Sequence, residues 1–315
     1  MAINRVLLIG GSGFIGTSVA EQLSGQGVFV TVPTRNRERA KHLLLLPTVD
    51  AVEADVFDAQ TLDDMVRNHD AVINLAGILH GDFDRVHIAL PKLVAEACAR
   101  GGVARLINMS ALNAGIDAPS EYLRSRGRGE AAVWAVAGAT PALSVTVFQP
   151  SVVFGERDKF LNLFASLVKL FPVIPLGSPD ATFQPVWVED VARAIVASLP
   201  LADAKNRTFV LVGPKVYTLR ELVEFVIAAT AKRRMIVGLG PALSMLQASV
   251  FGMLPGKLLT PDNVRSMTLP NVSNQPYPAQ LGRAHPMEGV VNTYMQAESM
   301  GGRARYQGFR DTAGR

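Results

Sequence analysis

The sequence predicts an α/β protein built on a doubly wound parallel sheet. Three observations lead to that prediction. Short apolar segments alternate with helix-like segments through the first half of the chain. These apolar segments lack alternating polar residues, which is typical of strands covered by helices on both faces. A glycine-rich turn at residues 10–16 follows the first apolar segment and precedes the first helix-like one.

The predicted elements of the first half follow in order along the chain. Strands are expected at residues 5–9, 28–33, 49–53, 71–75, 106–109 and 144–148, where short apolar runs occur. Helices are expected between them at residues 15–24, 37–45, 59–68, 84–100 and 120–137. Strands of this length that are separated by helices imply right-handed βαβ units.

The regular alternation of predicted strands and helices ends after Pro150. The pattern predicts a helix at 158–171, a strand at 183–188, a helix at 189–199, a strand at 209–212 and a helix at 218–231. Thr218 and Glu221 have the spacing of a capping box at the start of that last helix. We expect a first domain at 1–155, a smaller lobe at 156–270 that returns some elements to the main sheet, and an irregular basic tail at 271–315.

The segment at residues 241–254 is strongly apolar and is expected to be a helix. One interpretation is a helix packed on the smaller lobe. The alternative is an amphipathic face that lies on a membrane or closes over an apolar substrate. The polar side, formed by Ser244, Gln247 and Ser249, has no Lys or Arg, and this favours packing.

Composition excludes several classes of protein. The 315 residues are 49% apolar, yet no apolar run reaches the roughly 20 residues that a membrane span needs. The net charge of +4 comes from scattered residues without an aromatic-interleaved basic stripe, so nucleic acid is not an expected partner. The single cysteine, Cys98, excludes an internal disulfide and is expected to be a buried apolar residue. No metal site is expected. The start of the chain has no signal-peptide pattern, so a cytoplasmic protein is expected, with peripheral attachment to the inner face of a membrane as the alternative.

The glycine-rich turn has the residues that a bound diphosphate requires. One glycine permits the turn, another lets the backbone approach the phosphates, and the third lets the helix pack on the strand. The helix that follows offers unpaired N–H groups and the positive end of its dipole to the phosphates. The residues expected to contact a dinucleotide here are Gly10, Ser12, Gly13, Phe14, Ile15 and Gly16.

The ends of the next strands predict which dinucleotide is bound. No carboxylate occurs before Glu38 to accept a ribose 2′-hydroxyl, whereas Arg35 can pair with a 2′-phosphate. NADP(H) is therefore favoured and NAD(H) is the alternative. Asp55, followed by Val56, is expected to lie at the adenine, although Asp55 could equally cap a short turn. After the fourth strand, the small residues of the stretch Leu75, Ala76 and Gly77 let the backbone pass close to the ribose and phosphates.

Three polar residues could carry proton transfer. Tyr122 and Arg126 are four residues apart on a predicted helix and therefore share one face. A phenol beside a permanent cation can have a lowered pKa and act as a general acid or base. Ser110 follows the fifth strand and could hold the oxygen of a substrate.

These motifs resemble the extended or atypical short-chain dehydrogenase/reductases of the NAD-dependent epimerase/dehydratase superfamily. The resemblance covers roughly residues 3–270. It rests on the glycine turn, Asp55-Val56, Asn74-Leu75-Ala76-Gly77, Ser110, Tyr122 and Gln149-Pro150-Ser151-Val152-Val153-Phe154-Gly155. Within that superfamily the chain is similar to the NDUFA9-like branch, related to an accessory subunit of respiratory complex I. The motifs of that branch are Thr34-Arg35-Asn36, Gly77-Ile78-Leu79, Ser110-Ala111-Leu112, Tyr122-Leu123-Arg124-Ser125, residues 183–192 and Leu254-Pro255-Gly256.

The resemblance implies a Rossmann-like fold and a tightly bound nicotinamide dinucleotide, with Pro150 and Val152 beside the nicotinamide. It also implies an association with respiratory complex I or ubiquinone metabolism. The chain departs from the family in two ways. Arg126 replaces the lysine of the family's Tyr-x-x-x-Lys motif, and Ser110 is followed by Ala111 rather than by a second hydroxyl residue. His87 stands where related enzymes often have asparagine, and a structural role is expected for it.

Two functions of different classes follow. The first is an NAD(P)-dependent oxidoreductase acting on a carbonyl, alcohol or quinone-related apolar substrate, with Tyr122, Arg126 and Ser110 as catalytic residues. The second is a non-catalytic NADP(H)-binding subunit or assembly factor of a respiratory complex or of ubiquinone metabolism. Redox sensing through cofactor occupancy is a third, less favoured, interpretation. Five apolar residues of the smaller lobe fit either an apolar ligand or an ordinary core, namely Phe154, Phe160, Leu163, Phe164 and Trp187.

Overall fold

The structure is a computed structural model, and it describes residues 3–253 and 259–291. The strands are β1 (Arg5–Ile9), β2 (Phe29–Thr34), β3 (Val49–Glu53), β4 (Ala71–Asn74), β5 (Arg105–Met109), β6 (Ser144–Pro150), β7 (Val153–Phe154), β8 (Val173–Gly177), β9 (Thr182–Phe183), β10 (Val186–Trp187), β11 (Arg207–Leu211), β12 (Tyr217–Thr218) and β13 (Met235–Leu239). The α-helices are α1 (Phe14–Gly25), α2 (Ala59–Val66), α3 (Leu90–Gly101), α4 (Glu121–Ala139), α5 (Leu161–Leu170), α6 (Val188–Ser198), α7 (Leu219–Ala229), α8 (Pro241–Met253) and α9 (Pro261–Ser266).

The chain divides into two compact units. The first consists of Met1–Ser151, Val188–Val212 and Ser273–Arg283, and the second of Val152–Trp187, Gly213–Val272 and the segment from Ala284 onward. Of the expected tail at 271–315, residues 292–315 lie outside the described residues, as does the Leu254-Pro255-Gly256 motif.

The first unit is built on one parallel sheet. In the described residues its seven strands have the order β11-β6-β5-β4-β1-β2-β3. Every neighbouring pair is parallel. The order reverses direction at β1, so the helices that follow β1 and β4 start on either side of one crevice at the carboxyl edge of the sheet. This topology confirms the predicted Rossmann-like doubly wound fold.

Two predicted helices of the first unit differ in kind from the prediction. Residues Arg37–Leu45 form a 3-10 helix, which begins where the Asn36 side chain accepts a hydrogen bond from Glu38 N–H. The helix predicted at 84–100 begins with a π-helical turn, Asp84–Ala89, and continues as α3. Pro91 has no N–H to donate to the carbonyl of His87, and that accounts for the interrupted α-helical ladder.

The second unit contains three two-stranded sheets in its described residues, namely β10-β7, β12-β9 and β13-β8. The strand predicted at 183–188 is wrong as a single element, because β9 and β10 are separate strands with Gln184 and Pro185 between them. The helix predicted from residue 158 begins only at Leu161. Asp158 instead accepts hydrogen bonds from the N–H groups of Phe160 and Leu161 at that end. The capping box of Thr218 and Glu221 is present as predicted.

α8 packs within the second unit, which is the interpretation that the sequence favoured, but it does so through its polar side. Its polar side faces inward: Ser244 is buried and accepts a hydrogen bond from Ser178 N–H at 3.1 Å, while Gln247 Nε2 donates to the carbonyl of Pro175 at 2.8 Å. Four of its large apolar residues, Leu243, Leu246, Val250 and Met253, are exposed. Among the described residues no helix is long and apolar enough to span a bilayer.

Candidate functional site

The glycine-rich turn lies directly against the end of β4. Gly10 has φ +81°, a left-handed conformation that favours glycine. A Cβ added to Gly10 would meet the backbone nitrogen of Ala76 and the carbonyl carbon of Leu75 at 3.0 Å. Leu75 in turn donates its N–H to Ile9 O at 2.9 Å. The backbones of the two strand ends therefore touch at the crevice that the strand order creates.

The start of α1 is closely packed on the same turn. A Cβ at Gly16 would collide with the carbonyl oxygen of Gly10 and lie 2.6 Å from the Cα of Gly11. The N-cap residue of α1, Gly13, makes no side-chain capping hydrogen bond. The N–H groups of Phe14 and Ile15 have no acceptor within the helix, because they belong to its first turn. This first turn therefore presents N–H donors and a positive dipole end to an anion, whereas Gly13 N–H already donates to Gly10 O at 3.0 Å.

Arg35 follows β2 directly and is exposed. The end of β2 lies beside the glycine turn, since a Cβ at Gly11 would be 2.8 Å from a methyl group of Val32. Arg35 is therefore attached to a strand that contacts the turn. The neighbouring side chain, Asn36, accepts a hydrogen bond from Glu38 N–H at 2.9 Å.

Asp55 and Val56 follow β3. The Asp55 carboxylate is exposed and accepts a hydrogen bond from Phe57 N–H at 3.0 Å, which is the turn-capping alternative left open by the sequence. This hydrogen bond uses only Oδ1 of Asp55, so the turn cap does not prevent Oδ2 from binding a ligand. Val56 is half-buried and packs against the core of the first unit.

Arg126 is buried, and its guanidinium is fixed by two strand ends. Nη1 donates to the carbonyl oxygens of Ala76 at 3.3 Å and Met109 at 3.1 Å, after β4 and at the end of β5. A Cβ at Gly77 would collide with Nη2 and lie 3.1 Å from Cζ, so glycine is needed there to admit the guanidinium. The guanidinium carbon lies over the ring face of Tyr122, 5.6 Å from its centroid.

Two buried polar atoms near these strand ends lack partners among residues 3–253 and 259–291, namely Ser110 Oγ and Arg126 Nε. Ser110 follows β5 and donates its N–H to Phe148 O at 2.7 Å, which fixes its backbone. A buried donor or acceptor without a partner costs about 1–3 kcal/mol. Such atoms in a crevice are therefore evidence for a polar ligand.

His87 has the structural role that the sequence suggested. Ile78 N–H donates to Nε2 at 3.0 Å, so the proton is on Nδ1, which lies 2.9 Å from Ser125 Oγ. The Ser125 hydroxyl donates to the carbonyl of Tyr122 at 2.8 Å. Burial, with a contribution from the Arg126 charge, lowers the pKa of His87 to about 3. The neutral ring connects the loop after β4 to the first turns of α4.

The His87 ring also fixes the side chain of Tyr122. It stacks on Phe83 at 5.2 Å between centroids, and Tyr122 packs edge-on against it at 5.5 Å. A Cβ at Gly129 would collide with the His87 carbonyl oxygen, so glycine is required on α4 for this close approach.

Pro150 and Val152 fall in different units. Pro150 ends β6 in the first unit, and its carbonyl accepts a hydrogen bond from Leu112 N–H at 2.9 Å. Val152 belongs to the second unit, where its N–H donates to Asn271 Oδ1 at 2.9 Å. In that unit Phe154 is fully buried, and Phe160, Phe164 and Trp187 pack on the same core.

The sequence reasoning did not single out the buried pair Asn74 and Asn108. Asn74 Nδ2 donates to Asn108 Oδ1 at 2.9 Å, and Asn74 Oδ1 accepts from Ala76 N–H at 3.2 Å. This pair sets the path of the backbone as it leaves β4. The pair could have been predicted from the sequence, because each asparagine lies near the carboxyl end of an apolar strand and a buried side-chain amide needs a hydrogen-bond partner.

The residues of the first unit fit a dinucleotide on structural grounds. The glycine turn approaches the end of β4 so closely that a Cβ at Gly10 would meet its backbone. The first turn of α1 offers N–H donors, and two buried polar atoms lack partners among the described residues. The expected first-unit residues of the glycine turn, the loops after β2 to β5 and the end of β6 lie at the carboxyl ends of strands, whereas Tyr122 and Arg126 lie on α4.

Comparison with known proteins gives relatives among respiratory subunits. The chain is 34% identical over 233 residues to mitochondrial NADH dehydrogenase [ubiquinone] 1 alpha subcomplex subunit 9 of Mus musculus, covering 71% of this chain and 60% of the mouse protein. It is 31% identical over 234 residues to the mitochondrial NADH-ubiquinone oxidoreductase 40 kDa subunit of Neurospora crassa, covering 72% and 60%. The chain thus spans about 60% of the length of these relatives.

Solved structures share the fold at low sequence identity. A nucleoside-diphosphate-sugar epimerase from Staphylococcus aureus has a TM-score of 0.72 at 15% identity, covering 93% of this chain and 99% of that one. UDP-glucose 4-epimerase from Thermus thermophilus, solved in complex with NAD, has a TM-score of 0.63 at 20% identity, covering 84% and 99%. These likenesses establish the fold alone.

The matching family model extends over most of the first unit and part of the second. It covers residues 6–213 and therefore includes the glycine turn, the strand ends and Arg126. The relatives agree with the branch that the sequence motifs suggested. The chain belongs to the NAD dependent epimerase/dehydratase family.

Proposed function

We propose that this protein binds NADP(H) and acts as an oxidoreductase of the short-chain dehydrogenase type on a carbonyl, alcohol or quinone-related apolar substrate. The observation that carries the proposal is the pair of unpartnered buried atoms, Ser110 Oγ and Arg126 Nε, close to the strand ends that contact the glycine turn. Both atoms can hydrogen-bond oxygen, which suits a ribose hydroxyl and a substrate oxygen.

The preference for NADP(H) rests on Arg35. Its position directly after β2, together with the contact between β2 and the glycine turn, supports a role for this cation in binding a 2′-phosphate on the adenosine ribose. Glu38 is the nearest following carboxylate in the chain, and it pairs with Lys41. Asp55 and Val56 would border the adenine, and Pro150 and Val152 the nicotinamide.

The proposed chemistry divides among three side chains. When bound, the dinucleotide supplies or accepts a hydride at the substrate carbon. The Tyr122 hydroxyl passes the matching proton to or from the substrate oxygen, so that the carbonyl and alcohol forms interconvert. Ser110 Oγ hydrogen-bonds that oxygen and orients it. Arg126 keeps a positive charge beside the ring of Tyr122, while Nε is available to a ribose hydroxyl.

A non-catalytic role is favoured by one specific observation. The Arg126 guanidinium donates to the carbonyls of Ala76 and Met109, and its carbon lies over the ring face of Tyr122. That arrangement stabilises the strand ends and gives the phenol less assistance than a compact ammonium would. The protein is then an NADP(H)-binding subunit or assembly factor of a respiratory complex or of ubiquinone metabolism, held on the cytoplasmic side of a membrane. The relatives that are named as subunits of NADH dehydrogenase support this second candidate.

The cofactor proposal is tested by the substitution Arg35→Asp. Loss of a charged hydrogen bond to a phosphate is worth about 1.5–3 kcal/mol, so NADPH affinity should fall roughly 10- to 100-fold while NADH affinity holds or rises. Arg39→Asp is the matched control, since Arg39 is also exposed and lies in the adjacent 3-10 helix. Titration calorimetry measures both. An unchanged preference for NADPH in the Arg35 variant would remove the argument for the phosphate.

The choice between the two candidates is tested with Tyr122→Phe. Purified protein is assayed for NADPH oxidation with quinones and carbonyl compounds. Turnover that is lost in the variant, with NADPH affinity retained, supports the oxidoreductase. Tight NADPH binding without turnover in the wild-type protein supports the subunit, and co-purification of a respiratory complex with the tagged protein is then expected.

A further inference from the structure

The outward face of α8 is apolar along its whole described length. Leu243 is 55% exposed, Leu246 59%, Val250 52% and Met253 84%. These positions are spaced 3, 4 and 3 residues apart, which places them on one side of a helix. The opposite side is buried at Ser244 and Ala248. The helix is therefore held in the second unit by its small and polar side and directs its large apolar side outward.

The neighbouring two-stranded sheet also exposes apolar residues. β13 pairs with β8 so that Met235 lies beside Val173 and Val237 beside Pro175. All four are exposed, and they alternate with inward residues, so they share one face of the sheet. Gln247 Nε2 donates to the Pro175 carbonyl, which fixes α8 beside β8. We call the exposed residues of α8, β8 and β13 the apolar face of the second unit.

Cations border the apolar face at one end of the sheet. Lys232 and Arg233 are exposed and precede β13, while Arg234 Nε donates to Val168 O at 2.7 Å and so brings this basic segment to the end of α5. Lys169 and the exposed Leu170 and Phe171 lie at that end too. Residues 165–177 and 228–253 contain four Lys or Arg and no Asp or Glu, although the whole chain has 31 basic and 27 acidic residues.

From these observations we propose that the apolar face binds the surface of an anionic lipid bilayer. Its apolar side chains enter the headgroup region and its bordering cations contact lipid phosphates. An exposed apolar helix face beside a basic segment is the arrangement that peripheral membrane binding requires. The helix lies along the surface, because its small and polar side is buried in the second unit and its large apolar side faces outward.

The positive charge beside the apolar face favours a lipid surface over two other partners that could cover this face. A second copy of this chain on a two-fold axis would bring the same cations against one another. The segment at 301–315 has four arginines and one aspartate, so its charge does not complement the cations either. An anionic headgroup layer offers the opposite sign over an extended area.

The test is sedimentation of the full chain with two kinds of vesicle. One is phosphatidylcholine alone, and the other is two parts phosphatidylcholine to one part phosphatidylglycerol. We expect binding to the anionic vesicles that weakens with added salt. The double variant Leu243→Ser, Leu246→Ser should bind at least about tenfold more weakly. The double variant Lys232→Gln, Arg233→Gln should bind about 30-fold more weakly, at roughly fivefold per charge.

The matched control is Leu45→Ser, since Leu45 is 87% exposed but belongs to the first unit. Its vesicle binding should equal that of the wild-type protein. Unchanged circular dichroism and thermal unfolding would show that the variants are folded. Failure of the wild-type chain to bind anionic vesicles, or equal binding by the α8 double variant, would overturn the proposal. NADPH affinity is measured separately, so failure here leaves the proposed cofactor site unaffected.

A fluorescent label at Leu246→Cys distinguishes the remaining occupants. The native Cys98 is buried, and burial raises the pKa of its thiol to about 12, so labelling occurs at the new thiol. A polarity-sensitive label should shift to the blue only when anionic vesicles are added. A label already shifted in the free monomer would mean that another part of this chain covers α8. A shift that grows with protein concentration, alongside a dimer in gel filtration, would assign the face to a second copy. Either result would overturn the proposal.

Discussion

The substitution Gly16→Ala tests the central structural argument for the dinucleotide site. In the structure the added Cβ would collide with the carbonyl oxygen of Gly10 and lie 2.6 Å from the Cα of Gly11. Both neighbours are backbone atoms, so neither can move aside by a side-chain rotation. The variant can fold only if α1 and the glycine turn separate, which would move the N–H donors of the first helical turn.

The expected magnitude combines two opposing effects. Overpacking of a fully packed site costs about 1–3 kcal/mol. Replacing glycine by alanine inside a helix returns up to about 1 kcal/mol. We expect the free energy of unfolding to fall by about 1–2 kcal/mol, measured by urea denaturation. Displacement of the turn should also reduce NADPH affinity at least about tenfold in titration calorimetry.

Gly25→Ala is the matched control on the same helix. A Cβ at Gly25 would meet no atom within 4 Å. The same substitution should therefore stabilise the protein by about 0.5–1 kcal/mol and leave NADPH affinity unchanged. If Gly16→Ala is as stable as the wild-type protein and binds NADPH equally well, the close approach of α1 to the turn is not what forms the site.

Three further predictions follow from particular contacts. Because the pKa of His87 is lowered to about 3, the unfolded chain binds more protons below about pH 6.5, and the free energy of unfolding should fall as the pH drops from there toward 3. His87→Asn should remove up to about 1.4 kcal/mol per pH unit from that slope, and equal slopes for both proteins in denaturation at several pH values would contradict the assignment. Arg126→Ala deletes two hydrogen bonds to strand-end carbonyls and should lower the free energy of unfolding by about 2 kcal/mol, whereas no loss would show that the guanidinium is not held there. Thr218→Ala should cost about 1 kcal/mol through loss of the cap on α7, while Thr218→Ser, which keeps the hydroxyl, should cost much less by the same measurement.

The order of strands and helices in the first unit could be predicted because each element is indicated by the pattern of its own residues. The observed β1 and β3 have the predicted bounds, and the other strands of that sheet differ by one or two residues at one end or at both ends. The glycine turn could also be predicted from the sequence, because the left-handed backbone at Gly10 and the close packing at Gly16 admit few other residues. The family followed from these same positions and is confirmed.

The departures from prediction arise where a proline or a contact with another part of the chain overrides the local pattern. The π-helical turn at Asp84–Ala89 accompanies a histidine that bridges Ile78 and Ser125, and neither partner is close to it in the sequence. The strand predicted at 183–188 is divided at Pro185, which cannot donate a hydrogen bond to a neighbouring strand.

The sequence by itself determined the order of the parallel sheet's elements along the chain, the glycine-rich turn and the family, because each depends on residues a few positions apart. Tertiary structure alone decided that Arg126 is held by the ends of β4 and β5, and that Ser110 Oγ lacks a partner in the described part of the chain. It also decided which side of α8 faces outward. Periodicity defines two sides of a helix, but only the partners at Ser178 and Pro175 determine that the polar side is buried.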